Sequence, residues 1–185
     1  MYDYAKLIIA LLDKKIVNPY IIVHSFGGKI AILLTSLYNI KVKKLLLIDS
    51  AGIKPKMTIC KWFRLKSYKL LQWFSKFIPK KLRAKYKRSI FKLFSSNDYS
   101  TLNNLERETF KNIVNLNLIN YLDNIKTETL IIWGDKDKDT PLSDSILMKK
   151  KIRDSKLIVF HSSTHYSYLE NLNVVLRIIY ISFTD

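Results

Sequence analysis

The chain has 185 residues, room for one sizeable hydrophobic core and hardly for two independent ones. Apolar residues make up 48% and aromatic residues 12%, a composition that excludes intrinsic disorder, while the one cysteine, Cys60, excludes an internal disulfide. Thirty-two Lys and Arg against fifteen Asp and Glu leave a net charge of +17, which favours nucleic acid, anionic lipid or acidic proteins as surroundings without choosing among them.

Residues 2 to 16 place Tyr4, Leu7, Ile8, Leu11, Leu12 and Ile16 on one face, predicting an opening amphipathic helix. Its apolar run, Leu7 to Leu12, is too short for a signal-peptide core or a membrane span, and a cytoplasmic protein is expected. Tyr20 to Val23 then forms an apolar run of strand length behind Asn18 and Pro19. Beyond it, Ile30, Ala31, Leu33, Leu34 and Leu37 recur at helical spacing, so the period switches from strand to helix within a few residues of Ser25. That switch requires a sharp turn, and Gly27 and Gly28 lack the side chains that would keep strand and helix apart. A serine hydroxyl is thereby held at the tip of the turn, and the backbone N–H of Phe26 opens the helix beside it.

Lys43 to Asp49 reads as a buried strand turned by Ser50, Ala51 and Gly52. Strand, helix and strand in succession imply parallel pairing and an α/β class. From Lys54 to Ser96 there are fourteen Lys and Arg, no acid and nine aromatics, among them Trp62, Phe63, Trp73, Phe74, Phe77, Phe91 and Phe94. Pro79 divides this stretch into two helices, and a third is predicted from about Leu102 to Asn120. Residues 54–122 are therefore assigned to a helical insertion, with Cys60 as a packing residue within it, between a first core segment, 1–53, and a second, 123–185. In the second segment Thr129 to Trp133 and Lys156 to Phe160 are strands, and helices are predicted over about Ser143 to Lys151 and Asn171 to Ile181. All four glycines, Gly27, Gly28, Gly52 and Gly134, fall just past the carboxyl end of a predicted strand, the edge of a parallel sheet where reactive groups gather.

A serine becomes a nucleophile when a base takes its proton, and the base needs an orienting carboxylate. Of the three histidines, His24 neighbours Ser25 on a strand, where alternation turns it the other way into a structural or lining role. His161 ends a strand. His165 lies four residues further on, in a loop from which its side chain can swing over the sheet edge toward Ser25. Carboxylates crowd the loop D-K-D-K-D-T-P after Gly134 as Asp135, Asp137 and Asp139, and Asp49 closes the strand before them.

The segment N-P-Y-I-I-V-H-S-F-G-G resembles the G-H-S-x-G-G nucleophile elbow of α/β-hydrolases, with Val23 where the first glycine is usual. I-I-W-G-D-K-D-K-D-T-P resembles their acid loop and S-T-H-Y-S-Y-L-E their histidine loop, in the family order serine, acid, histidine. The resemblance is to the capped branch that contains esterases, lipases and meta-cleavage product hydrolases. It implies a partial α/β-hydrolase fold, a parallel sheet of about four strands flanked by helices and interrupted by a helical cap. It implies a serine hydrolase acting on a carboxylic ester or similar carbonyl, with Ser25, His165 and Asp137 as triad, Phe26 N–H in the oxyanion hole, Gly27 and Gly28 as elbow glycines, and Asp49 as a substitute acid. Neither a metal nor an organic cofactor is implied.

In the family, further strands and a loop donating a second oxyanion N–H precede the serine strand; residues 1–19 supply neither, so an N-terminally truncated hydrolase is expected. The alternative is a catalytically silent remnant serving as a pairing or membrane-surface module. The expected partners are a small apolar ester-like substrate, an anionic membrane surface through the basic cap, and a second copy through an exposed strand edge. No nucleic-acid motif is recognisable, and a nucleic-acid partner is not expected.

Overall fold

In a computed structural model of the chain, residues 1–12, 16–55, 59–94 and 103–184 are described. The elements in chain order are α1 (Tyr2–Leu12), β1 (Tyr20–His24), α2 (Gly27–Ser36), β2 (Lys44–Ile48), α3 (Ile59–Phe74), α4 (Lys80–Phe94), α5 (Asn104–Asn115), β3 (Thr129–Gly134), α6 (Leu142–Lys151), β4 (Ser155–Phe160), α7 (Ser167–Glu170) and α8 (Leu172–Thr184). Short 3-10 turns occupy Ser75–Phe77 and Ile119–Asn124. The last turn predicted for the opening helix and the start predicted for the third cap helix fall partly on residues 13–15 and 95–102, outside the described residues; the reading of Cys60 falls on a side chain that is likewise outside them.

The chain divides into two compact units, one of Met1–Lys54 with Leu116–Asp185 and the other of Pro55–Asn115. The first holds a parallel sheet ordered β1-β2-β3-β4. Its register aligns His24 with Ile48, Ile48 with Ile132, and Gly134 with Phe160, so the chain leaves the strands along one common carboxyl edge. Alternation along the strands sorts the core into two layers. Leu45, Leu47, Ile131 and Trp133 face a cluster with Ile32, Leu33 and Met148 from α2 and α6, whereas Leu46, Ile48 and Ile132 face Val175 of α8. Apolar strands buried on both faces are what parallel pairing demands.

Leu116 to Leu122, which helical periodicity assigned to the insertion, belong to this first unit. Leu118 and Leu122 are fully buried against its core. Apolar spacing identified them as buried without identifying what buries them.

Among the described residues, the second unit holds α3, α4 and α5 with the turn Ser75–Phe77. The Arg83 guanidinium donates to the carbonyls of Lys76 and Ile78, tying α4 to the turn before it. Asn103 and Glu106 form a reciprocal capping box at the start of α5, with bonds of 2.9 and 2.7 Å. Along α3, Ile59, Trp62, Phe63, Leu70, Trp73 and Phe74 are all exposed, and their spacing puts them on one face.

Candidate functional site

Ser25 sits directly after β1 with φ of 50°, in the left-handed region that costs an L-residue roughly 1–2 kcal/mol. Three hydrogen bonds hold it there: its N–H donates to the Ile48 carbonyl, and its carbonyl accepts from the N–H groups of Gly28 and Ala51. Strain of this kind persists only where the surroundings over-determine it. The two glycines make the turn possible by close approach, since a Cβ on Gly28 would lie 2.6 Å from the Ser50 Cβ. At Gly27 a Cβ would stand 3.1 Å from the Cβ of Val23, so the valine in the first motif position is accommodated by the absence of a side chain two residues after the serine. Phe26 is the N-cap residue of α2, and its N–H is one that the helix does not use internally.

The acid loop leaves β3 at Gly134 and folds around Asp137, whose side chain is fully buried. Asp137 Oδ1 accepts the N–H groups of Asp139 and Thr140 at 2.8 and 3.0 Å, and Oδ2 accepts the Thr140 hydroxyl at 2.6 Å. The buried indole of Trp133 donates to the Thr140 carbonyl at 2.8 Å, anchoring the far end of the same loop. Asp137 Oδ2 also receives the Nδ1–H of His165 at 2.8 Å, and the other ring nitrogen, Nε2, lies 2.9 Å from Ser25 Oγ as acceptor for its hydroxyl. Ser25, His165 and Asp137, separated by up to 140 residues, thus form one hydrogen-bonded line along the carboxyl edge.

A family model described as the alpha/beta hydrolase fold matches residues 1–118 of this sequence. The chain belongs to the α/β-hydrolase family. Solved structures share its fold. The meta-cleavage product hydrolase of Pseudomonas fluorescens IP01 superposes with a TM-score of 0.66 at 22% identity, covering 98% of this chain and 71% of its own. An esterase from Exiguobacterium antarcticum gives 0.67 at 21% identity, covering 98% and 72%, and a bromoperoxidase from Bacillus anthracis 0.68 at 15% identity, covering 98% and 73%. No curated protein matches the sequence.

Within this α/β-hydrolase chain the remaining candidates lie elsewhere. His161 is almost fully exposed and pairs with Asp135 at 3.3 Å. Asp49 is fully buried, and its carboxylate accepts the Gly134 N–H at 2.9 Å and both the N–H and hydroxyl of Ser167, at 3.2 and 2.6 Å. Burial pushes the Asp49 carboxyl above the usual range and the nearby Asp137 adds to this, while the hydrogen bonds from Ser167 and Gly134 oppose it. Thr140, to which no role was assigned from the motifs, closes the loop on Asp137 through its hydroxyl. Donor atoms of Asp137, Asp139 and His165 lie within 4.8 Å of one another, the composition of a cation site, but Asp137 and His165 are hydrogen-bonded to each other. A surface hollow bounded by Lys43, Lys126 and Glu128 lies at the amino ends of β2 and β3, the sheet edge opposite Ser25. No described helix is long and apolar enough to cross a membrane.

Proposed function

We propose that the chain is a serine hydrolase acting on a carboxylic ester or a similar carbonyl substrate. The hydrogen-bonded line from Asp137 through His165 to Ser25 carries this reading, because its two distances of 2.8 and 2.9 Å are those that proton transfer requires. Ser25 Oγ attacks the carbonyl carbon as its proton passes to His165 Nε2, and Asp137 stabilises the imidazolium and fixes its tautomer. The Phe26 N–H, at the positive end of α2, meets the developing oxyanion. Collapse expels the alcohol with the proton from His165, and water attacks the acyl-enzyme by the same path to regenerate Ser25. No step calls for a metal or an organic cofactor.

A fluorophosphonate probe tests the reading. Labelling of the wild type that is lost in Ser25→Ala is the expected result, and failure of the folded wild type to label would overturn it.

A second reading, a surface module for anionic membranes, is favoured by the exposed apolar stripe of α3 within a segment that holds fourteen cationic residues and no acid between Lys54 and Ser96. On that reading sedimentation with phosphatidylglycerol vesicles is expected to persist in Ser25→Ala and to fail in Trp62→Ser/Trp73→Ser.

A further inference from the structure

We propose that His24, the residue before the nucleophile, is a positioning residue for His165. The inference rests on the serine-hydrolase reading above and adds to it the group that fixes where the base stands.

His24 ends β1, and strand alternation turns its side chain away from the Ser25 hydroxyl toward the layer occupied by Tyr168. There its Nε2 lies 2.7 Å from the carbonyl oxygen of His165. A carbonyl only accepts, so Nε2 carries the hydrogen and the bond fixes the tautomer of His24. The ring is packed on three sides, with centroids 4.8 Å from the His165 ring, 5.6 Å from Tyr166 and 5.0 Å from Tyr168.

The histidine loop has other anchors, but each acts beside residue 165. Lys136 N–H bonds the Ser163 carbonyl, Glu170 takes the N–H and hydroxyl of Thr164, and Asp49 takes those of Ser167. These bonds fix the loop to the acid loop, to α7 and to the end of β2. The His24 bond instead seizes the backbone of residue 165 itself, and it comes from the residue adjacent to the nucleophile. Ser25 and His165 are therefore connected twice: once through the reacting hydrogen bond, and once through a backbone and a side chain that do not react. A shift of β1 carries the base with it, and the 2.9 Å contact between Nε2 and Oγ is preserved.

The consequence concerns turnover rather than affinity, because the His24 ring turns away from the Ser25 hydroxyl and bonds the backbone of the base itself. Three variants separate its hydrogen bond from its packing. His24→Phe keeps a ring and removes the donor, His24→Gln keeps an N–H at the same number of bonds from the backbone and removes the ring, and His24→Ala removes both.

With p-nitrophenyl acetate as substrate, His24→Phe and His24→Ala are expected to lose roughly 10- to 100-fold in kcat with KM nearly unchanged, the scale associated with misplacement of a catalytic group by about 1 Å. His24→Gln is expected to recover most of the loss. The same variants are read by proton NMR through the downfield signal of the His165 Nδ1–H, retained in wild type and His24→Gln and broadened or lost in His24→Phe, a measurement that needs no turnover. If wild type fails to react with fluorophosphonate, the hydrolase reading fails while the NMR comparison still decides whether His24 holds the ring. Wild-type kcat and an unaltered Nδ1–H signal in folded His24→Phe would overturn the positioning role.

Discussion

The Asp49 carboxylate and the Ser167 hydroxyl, 118 residues apart in sequence, share a 2.6 Å hydrogen bond beneath the carboxyl edge of the sheet. Both residues are fully buried, and the same carboxylate also takes the backbone N–H of Ser167 and that of Gly134. The buried acid at the end of β2 therefore ties together the starts of the acid loop and of α7. Replacing it with alanine strands three buried donors, each worth about 1–3 kcal/mol when unsatisfied. Asp49→Ala is expected to lose ~3 kcal/mol or more in urea unfolding at pH 7, with Asp49→Asn losing less because its amide oxygen can still serve Gly134.

Asp137→Asn is expected to leave the fold intact and to slow reaction with fluorophosphonate by about 10⁴-fold, since an amide in place of the carboxylate withdraws the charge that orients His165. The second-order labelling rate, measured against wild type, checks it.

The left-handed backbone of Ser25 predicts a conflict between reactivity and stability. Ser25→Gly removes the nucleophile and also the Cβ penalty, whereas Ser25→Ala removes the nucleophile alone. Thermal or urea unfolding is expected to find the glycine variant more stable than the alanine variant by about 1 kcal/mol, and equal stabilities would mean that the turn is unstrained in solution.

Val23 and Gly27 are expected to be coupled. Gly27→Ala brings a methyl to 3.1 Å from the Val23 Cβ, tighter than ordinary contact, and Val23→Gly removes the obstacle. A double-mutant cycle should yield a coupling of about 1 kcal/mol, with Gly27→Ala better tolerated in the Val23→Gly background.

Lys29 of α2 is 3% exposed and donates to the Leu116 carbonyl at 3.0 Å. Burial lowers its ammonium from the ordinary 10.5 to about 8. The folded state thus gives up this proton at lower pH than the unfolded chain does. Between about pH 8 and 10.5 the unfolded chain binds more protons, so this residue makes stability rise with pH across that window. Below pH 8 its full penalty remains, of order 3 kcal/mol. Urea unfolding at pH 7.5 and 10 is expected to show a smaller rise, or a steeper fall, in Lys29→Met than in wild type.

Much of this protein is written in local periods. The four strands, the switch to helical spacing after Ser25 and the gathering of glycines at strand ends follow from side-chain alternation and backbone sterics, which act within a few residues. Those signals determined the α/β class and placed the serine turn, the aspartate loop and the histidine loop along one edge. Periodicity alone did not decide which of Asp135, Asp137 and Asp139 meets His165, since three carboxylates in a single loop are equivalent to any periodic reading; it was the loop's resemblance to the family's acid loop that selected Asp137. Thr140 and the buried Trp133 settle that by closing the loop around Asp137. Nor did periodicity show that Asp49 serves Gly134 and Ser167, that His24 bonds the carbonyl of His165, or that Leu118 and Leu122 complete the first unit's core. These contacts span 85, 118 and 141 residues in the three hydrogen-bonded cases, and their partners are selected by sheet register and packing. Local sequence fixes which way each residue faces; only the assembled sheet decides what it faces.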